Sequence, residues 1–283
     1  MVEDIAMPLS ITSTVPLNSG EAMPLFGLGT FRMPTGAATE GAVHRALTLG
    51  YRLLDTASAY GNEAEVGRAI AGSGLDRGTI FLTTKAWVDE QGYDETRAAC
   101  RRSLAALRTP YVDLYLLHWP APGRWPEAWR ALLTLQESGL CRAIGVSNFA
   151  IHHLEALREI SVVPPAVNQV EFNPFRYDRD LLAYCRDHDI RLEAYTPLTR
   201  GARFTHPVLK RLAAAHGKTP AQTLIRWGLQ HGVIEIPKAT SDAHLRENAH
   251  VFDFALTDDD MSTLDALDEQ YTVVNPEWRA KFA

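Results

Sequence analysis

Short apolar runs alternate with longer amphipathic stretches along nearly the whole chain. Eight runs are rich in aliphatic side chains, and several are apolar on both faces, which is typical of strands buried between two layers of structure. The predicted strands are residues 24–30, 51–55, 79–85, 112–118, 141–146, 166–171, 190–195 and 233–237.

Helical periodicity occupies the segments between these runs. The predicted helices are residues 39–49, 62–71, 94–107, 126–137, 151–160, 178–188, 220–230 and 242–251. At the start of the second helix, Asn62 followed by Glu65 predicts a capping box. Eight strands that alternate with eight helices predict an α/β fold, the (β/α)8 or TIM barrel.

Two segments fall outside this repeat. Residues 11–17 and 21–25 flank Asn18-Ser19-Gly20, which predicts an N-terminal β-hairpin that plugs one end of the barrel. A C-terminal tail that contains Trp278 follows a short predicted helix near residues 258–267.

The composition is that of an ordinary globular protein. The chain has 283 residues, with 28 Lys and Arg against 34 Asp and Glu, and its net charge is −6. This balance does not favour a nucleic acid or an anionic membrane surface as a partner. Because no stretch rich in Pro, Gly or Ser interrupts the pattern, residues 1–283 are expected to form a single domain.

The cysteines, histidines and N-terminus exclude further classes. The three cysteines are widely spaced without a Cys-x-x-Cys pair, so neither a disulfide framework nor a cysteine zinc site is expected. His152 and His153 are adjacent on a predicted helix and point to different faces, and we predict no metal site. The N-terminus lacks a basic segment, and no apolar run approaches the roughly 20 residues of a membrane span, so we expect a cytoplasmic location.

Polar side chains close the predicted strands. In a (β/α)8 barrel, the loops at the carboxyl ends of the strands build the active site. Asp55, Lys85 and His118 end three consecutive strands, and Tyr60 lies on the loop five residues after Asp55. Further polar or aromatic residues lie at or near the ends of the last four strands: Ser147, Asn148, Gln169, Tyr195 and Lys238.

Each of the first four residues also has an ordinary structural explanation. Asp55 suits the cap of a turn, and a lysine such as Lys85 commonly extends into solvent. His118 suits a satisfied core position, and Tyr60 suits a packing role. The four side-chain types together form a device for proton transfer, which favours a catalytic interpretation.

Six ordered motifs cover essentially the whole chain. They are Asp55-Thr56-Ala57 with Tyr60-Gly61-Asn62-Glu63, Thr84-Lys85-Ala86-Trp87, Leu117-His118-Trp119-Pro120, Gly145-Val146-Ser147-Asn148-Phe149, Asn168-Gln169-Val170-Glu171 and Ile236-Pro237-Lys238. Together these motifs resemble the aldo-keto reductase superfamily. The chain is similar to the prokaryotic branch that contains diketogluconate and methylglyoxal reductases. The resemblance implies a carbonyl reductase that uses NAD(P)H to reduce an aldehyde or ketone to an alcohol by hydride transfer, and we expect a monomer.

The resemblance also implies catalytic roles. Tyr60 matches the general acid, and Lys85, Asp55 and His118 complete the tetrad of the family. Hydride arriving at a carbonyl carbon leaves negative charge on the oxygen, which needs a proton. A free tyrosine has a pKa of about 10, and we expect the Lys85 ammonium to lower the pKa of Tyr60. Asp55 is expected to hold the lysine, and His118 to orient the carbonyl.

Cofactor positions follow from the same resemblance. Side chains that hydrogen-bond the nicotinamide carboxamide are matched by Ser147, Asn148 and Gln169, and the stacking aromatic is matched by Tyr195. The loop near the pyrophosphate is matched by Thr196 and Leu198, with Arg200 as a further source of charge, and a small residue near the ribose is matched by Thr30.

The chain departs from the family pattern at the adenosine 2′-phosphate. Relatives usually have Lys-Ser here and an arginine six residues after the lysine. This chain has Lys238-Ala239 in place of Lys-Ser, with Thr240 directly after it. His244 stands at the position of the arginine, and Asn248 is retained. With a hydroxyl and a permanent charge missing, Thr240, Ser241 or Arg246 are expected to compensate. We predict that NADPH is preferred but that NADH is discriminated against less strongly than in relatives.

Aromatic residues match the substrate wall of relatives. These are Phe31, Trp87 and Trp119, and Trp278 on the tail is within reach of the same mouth. They favour aldehydes and small ketones with an apolar body, and they leave sugar-derived, dicarbonyl and aryl aldehydes open.

Two other functions are compatible with parts of this pattern. Some aldo-keto reductase relatives are non-catalytic cofactor-binding, sensory or structural proteins, and the full tetrad counts against this alternative. A phosphate-binding barrel isomerase or lyase is disfavoured because the last two loops lack a glycine-rich phosphate cradle. A Rossmann site is excluded because Gly27-Leu28-Gly29 is followed by Arg32 where a third glycine is needed.

Overall fold

The N-terminal hairpin is formed as predicted. The computed structural model describes residues 9–282, and its first elements are β1 (Thr14–Pro16) and β2 (Ala22–Pro24), which pair antiparallel. The Asn18 side chain in the turn donates to the backbone oxygens of Pro165 and Asp189 at 3.1 and 2.9 Å. Because these two residues precede barrel strands, the hairpin covers the end of the barrel opposite the strands' carboxyl ends.

Eight parallel strands follow and form the barrel. They are β3 (Gly27–Gly29), β4 (Leu53–Asp55), β5 (Phe81–Ala86), β6 (Val112–Leu117), β7 (Cys141–Ser147), β8 (Val167–Glu171), β9 (Arg191–Tyr195) and β10 (Ile234–Glu235). Each strand pairs with the next one in sequence. The barrel closes where Phe26 pairs with Glu235, whose N–H donates to the Leu25 oxygen at 2.9 Å. The predicted (β/α)8 fold is confirmed.

Helices surround the strands. They are α1 (Ala37–Thr48), α2 (Glu63–Gly72), α3 (Tyr93–Leu107), α4 (Trp125–Glu137), α5 (Ile151–Ile160), α6 (Arg179–Asp187), α7 (Pro207–Ala215), α8 (Pro220–Gln230), α9 (Asp242–Ala249), α10 (Asp258–Asp265) and α11 (Pro276–Arg279). None of the helices within residues 9–282 combines the length and the apolar character that crossing a membrane requires.

The sequence prediction has no helix between residues 195 and 220, and the structure places α7 there. This helix of nine residues buries Leu209, Leu212 and Ala213 on one face. The apolar positions are too few for a clear helical period, and the neighbouring α8 supplies the surface that makes the helix stable.

The predicted capping box at α2 is wrong. Asn62 precedes the helix, but its side chain does not cap it. The Asn62 Oδ1 accepts from the Thr56 hydroxyl at 2.9 Å, and its Nδ2 donates to the Thr30 oxygen at 3.0 Å. Glu65 accepts instead from the backbone N–H of Gly36 at 3.2 Å. Asn62 therefore joins the loops after β3 and β4, beneath the turn that carries Tyr60.

Helices α2 and α3 approach closely at Gly67. A Cβ atom at this position would lie 2.5 Å from the Leu107 backbone oxygen. Gly67→Ala is therefore expected to lower the free energy of unfolding by about 1–3 kcal/mol, since helix backbone has to move. Gly72→Ala, in the same helix with no atom within 4 Å of the new Cβ, is the matched control and is expected to be neutral or stabilising. Denaturant unfolding of both variants checks this, and equal stabilities would contradict the close approach.

Candidate active site

A cavity of about 1020 Å³ opens at the carboxyl ends of the barrel strands. Most of the residues singled out from the sequence line it. They are Phe31, Asp55, Tyr60, Trp87, His118, Trp119, Asn148, Gln169, Tyr195, Thr196, Leu198 and Lys238.

An ion pair lies in the floor of the cavity. The Lys85 side chain is fully buried, and its Nζ donates to both carboxylate oxygens of Asp55 at 2.7 Å and to the Thr56 oxygen at 2.9 Å. Its Nζ also lies 3.3 Å from the Tyr60 hydroxyl. Burial raises the pKa of the Asp55 carboxyl, and the charge and hydrogen bonds of Lys85 and the bond from Gln169 oppose this effect. The ammonium is thus held directly beneath the phenol.

Tyr60 ends a short 3-10 turn, Ser58–Tyr60, after β4. Its ring packs on Phe31, with centroids 5.0 Å apart, and edge-on to His118 at 5.5 Å. Burial and the neighbouring carboxyl groups of Asp55 and Glu193 raise the pKa of Tyr60 well above its ordinary value. The prediction that the Lys85 ammonium lowers the pKa of Tyr60 is therefore wrong for the protein without a bound cofactor. That prediction took account of the ammonium, but not of the burial of Tyr60 or of the two carboxyl groups.

His118 directly follows β6, and its backbone N–H donates to the Ala86 oxygen at 3.0 Å. The imidazole is 8% exposed and packs edge-on against Trp87 at 4.9 Å. Burial and the Lys85 charge lower the pKa of His118 well below its ordinary value, so the ring is neutral at physiological pH. A neutral imidazole next to the phenol offers one donor and one acceptor.

A hydrogen-bonded cluster of polar side chains lies on the opposite side of the floor. The Tyr195 hydroxyl donates to Asn148 Oδ1 at 2.7 Å, and Asn148 Nδ2 donates to the His118 backbone oxygen at 3.0 Å. The Ser147 hydroxyl is buried and donates to the Gln169 backbone oxygen at 2.8 Å. These bonds connect the ends of β6 to β9 and fix the Asn148 amide at the cavity wall.

Gln169 contacts two acids. Its Nε2 lies 2.8 Å from Asp55 Oδ2 and 2.8 Å from Glu193 Oε2. Glu193 is fully buried in β9, and sequence reasoning missed it, although a single acid inside the apolar run 190–195 was the available signal.

Residues with left-handed backbone line the mouth of the cavity. They are Arg32, Asn148, Thr196 and Arg200. A left-handed conformation is costly for a side chain other than glycine, and the surrounding contacts must hold it. Arg32 and Arg200 both line the cavity, and burial and the Arg32 charge lower the pKa of Arg200.

The residues predicted around the 2′-phosphate lie on the segment that precedes α9 and along α9 itself. Lys238 is exposed and lines the cavity, and His244 is exposed as well. Thr240 is half-buried, and its backbone oxygen accepts from Arg45 at 2.8 Å, whereas Asn248 is buried. Of the compensating residues, Ser241 caps the His244 N–H at 3.2 Å, and Arg246 pairs with Asp242 at 2.7 Å.

Thr30 does not reach the cavity. Its buried hydroxyl donates to the Asp55 backbone oxygen at 2.9 Å. The structure therefore places Thr30 behind the catalytic candidate Asp55 rather than on the cavity surface.

The C-terminal tail completes the cavity wall. The Trp278 ring stacks on Trp87, with centroids 5.5 Å apart and an angle of 4°, and lies edge-on to Trp119. The buried carboxylate of Glu171 anchors the tail by accepting from the Thr272 hydroxyl at 2.5 Å, the Val273 N–H at 2.8 Å and the Arg279 guanidinium at 2.7 Å. Sequence reasoning placed Trp278 within reach of the mouth but assigned no role to this anchor.

Fold and site together define a (β/α)8 barrel in which ionisable side chains meet in one cavity at the carboxyl ends of the strands, the place where barrel enzymes have their active sites. Residues 26–269 match the model of the aldo/keto reductase family, and the chain belongs to this family. The resemblance inferred from the six motifs is thereby confirmed.

Individual relatives cover almost the full chain. Glyoxal reductase of Bacillus subtilis is 45% identical over 267 residues, which are 94% of this chain and 97% of that protein. The crystal structure of an aldo/keto reductase from Brucella melitensis has a TM-score of 0.89 at 43% identity and covers 92% of this chain and 99% of that one. The aldo-keto reductase of Bombyx mori in complex with NADP has a TM-score of 0.89 at 32% identity and covers 96% and 98%.

Removing Lys85 tests the ion pair. Lys85→Met leaves the Asp55 carboxylate buried without its cation, so we expect a loss of about 3–5 kcal/mol of stability at pH 8. Without the ammonium, the pKa of folded Asp55 rises further above the unfolded value of about 3.9, so the folded state retains a proton that the unfolded chain releases. The stability that Lys85→Met loses relative to the wild type is therefore expected to be smaller at pH 5 than at pH 8.

Unfolding by denaturant at the two pH values measures this difference. Lys210→Met, on the exposed face of α7, is the control and should change stability by less than about 0.5 kcal/mol at both pH values. An equal deficit of Lys85→Met at both pH values would speak against an uncompensated Asp55 charge.

Proposed function

We propose that this protein reduces the carbonyl group of aldehydes or small ketones to an alcohol, with NADPH as the cofactor and Tyr60 as the general acid. The observation that carries the proposal is the contact of the buried Lys85 ammonium with the Tyr60 hydroxyl, beside His118, in the floor of a large cavity.

The tetrad suits the charge that develops in carbonyl reduction. The raised pKa of Tyr60 keeps its phenol protonated at neutral pH and ready to donate to the carbonyl oxygen. Once the proton has left, the Lys85 ammonium at 3.3 Å stabilises the phenolate, and Asp55 holds the ammonium in place. The neutral His118 orients the carbonyl oxygen by a ring N–H.

The cavity suits a nicotinamide dinucleotide. Tyr195 offers an aromatic face, Asn148 and Gln169 offer amides for the carboxamide, and Lys238 and Arg200 supply positive charge for phosphates. When bound, NADPH supplies the hydride. A donor set with amides and an aromatic ring at one end and cations at the other matches the chemistry of this cofactor.

The substrate side of the cavity is aromatic. Trp278 packs against both Trp87 and Trp119, Trp87 packs against His118, and Phe31 packs against Tyr60. This wall favours a carbonyl compound with a flat or apolar body, and a small dicarbonyl such as the substrate named for the Bacillus subtilis relative is also compatible with it.

Tyr60→Phe tests the general acid. With NADPH and 4-nitrobenzaldehyde, we expect turnover, followed as loss of the cofactor absorbance, to fall by roughly 100- to 10,000-fold, because the proton donor is removed. The dissociation constant of NADPH, measured by quenching of tryptophan fluorescence, should stay within about threefold, since the ring itself is retained.

The matched control is Tyr93→Phe. It removes a hydroxyl group on α3 that contacts Thr134 on α4, away from the cavity. It should retain wild-type turnover. Unchanged turnover of Tyr60→Phe would contradict the acid assignment, and a wild-type protein that binds NADPH without reducing any carbonyl compound would favour a non-catalytic cofactor-binding role.

The cofactor preference is tested at Lys238. We expect wild-type kcat/KM to be higher with NADPH than with NADH, and Lys238→Met to lower the NADPH value by about tenfold, the effect of roughly 1.4 kcal/mol. The NADH value should change by less than about twofold, because NADH lacks the 2′-phosphate. Lys210→Met is again the control, and a strong wild-type preference for NADH, or an equal loss with both cofactors, would contradict a phosphate contact by Lys238.

A further inference from the structure

Glu193 is fully buried behind the tetrad and does not line the cavity, and it accepts a hydrogen bond from Gln169, which does. The Gln169 Nε2 lies at 2.8 Å from one oxygen of Asp55 and at 2.8 Å from one oxygen of Glu193. A side-chain amide nitrogen carries two hydrogens in one plane, and each carboxyl group accepts one of them. Both bonds together define which end of the amide is nitrogen and which way its plane faces.

The amide oxygen is then the remaining polar atom of the Gln169 side chain. Gln169 lines the cavity, so this oxygen is available there as an acceptor. A single bond to Asp55 would let the amide rotate about that bond, whereas the second bond to Glu193 prevents the rotation. We propose that Glu193 is a positioning residue that orients the Gln169 amide oxygen toward the nicotinamide carboxamide. This inference rests on the proposed function, since it presumes a bound nicotinamide.

The charges around Glu193 are compatible with this role. The groups that face it are Asp55 on β4, Lys85 on β5, Gln169 on β8, Glu235 on β10 and, across the cavity floor, Tyr60. Burial and the Asp55 charge raise the pKa of Glu193 to about 8, so it is mostly protonated at neutral pH. Lys85 therefore neutralises one carboxylate, Asp55, and the neutral Glu193 accepts from Gln169 through its carbonyl oxygen.

Because Glu193 accepts the hydrogen bond as a neutral carboxyl group, glutamine is a conservative replacement for it. Glu193→Gln retains an oxygen of the same reach, so it should keep the bond to Gln169. Glu193→Met retains the length of the side chain without the acceptor. Glu193→Asp retains the acid but withdraws it by one methylene, so the bond is lost although a buried carboxyl group remains.

The first measurement is the dissociation constant of NADPH, from quenching of the tryptophans that line the cavity. Loss of one hydrogen bond corresponds to about five- to tenfold in affinity. We expect an increase of this size for Glu193→Met and Glu193→Asp, and less than about threefold for Glu193→Gln. In a Gln169→Met background, Glu193→Met should have no further effect, because the residue acts through Gln169.

The second measurement is the stereochemistry of hydride transfer. Wild-type protein should transfer deuterium from one of the two C4-deuterated NADPH epimers, as read by mass spectrometry of the alcohol. Glu193→Met should transfer a measurable fraction from the other epimer, because a freely turning amide no longer selects one face of the ring. A purely structural role of Glu193 would not change this ratio.

Glu235→Gln is the matched control for Glu193→Gln. Glu235 is a buried acid on the neighbouring strand whose carboxyl group lies against Gly228 of α8, without a bond to Gln169. It should bind NADPH as wild type does. Wild-type affinity and single-face transfer in Glu193→Met would overturn the proposal, and if that variant fails to fold, the same result in Glu193→Asp overturns it. Failure of wild-type protein to bind NADPH would instead contradict the proposed function.

Discussion

The buried pair of Lys85 and Asp55 is the interaction on which the site depends. Two charges removed from water are costly unless their hydrogen bonds are complete. Here the ammonium has the Asp55 carboxylate, the Thr56 oxygen and the Tyr60 hydroxyl around it, so none of its three hydrogens lacks an acceptor. The pair joins two neighbouring strands, β4 and β5, and the pairing of these strands leaves the ammonium little freedom to move away from the phenol.

The pair also determines how its surroundings are built. The Asp55 backbone oxygen accepts from Thr30, which follows the neighbouring strand β3, and the Asp55 carboxylate accepts from Gln169 on β8, four strands away in the barrel. Asn62 fixes the loop that carries Tyr60 by bonding to Thr30 and Thr56. Polar groups that look like candidates for ligand binding in the sequence are therefore partly engaged in holding the ion pair.

The sequence is sufficient to predict the barrel and the residues of its mouth, because strand order and strand ends follow from hydrophobic patterning. It is insufficient where an outcome depends on contacts between distant segments. Asn62 has the right position for a helix cap, yet tertiary partners bind its side chain. The pKa of Tyr60 depends on burial and on Glu193, which is more than a hundred residues away, and no local pattern reveals that pairing.

The two sides of the cavity differ in how they are held. The side that holds the ion pair is built on strand ends and the bonds between them, whereas the aromatic side includes Trp278 of the tail, which one carboxylate, Glu171, anchors at the end of β8. Changes in the tail therefore reach Trp278, and through it Trp87 and Trp119, without disturbing Lys85 or Asp55. Such a division allows the aromatic wall to vary while the ion pair and the proposed proton donor stay in place, which is how a barrel with one reaction accommodates many substrates.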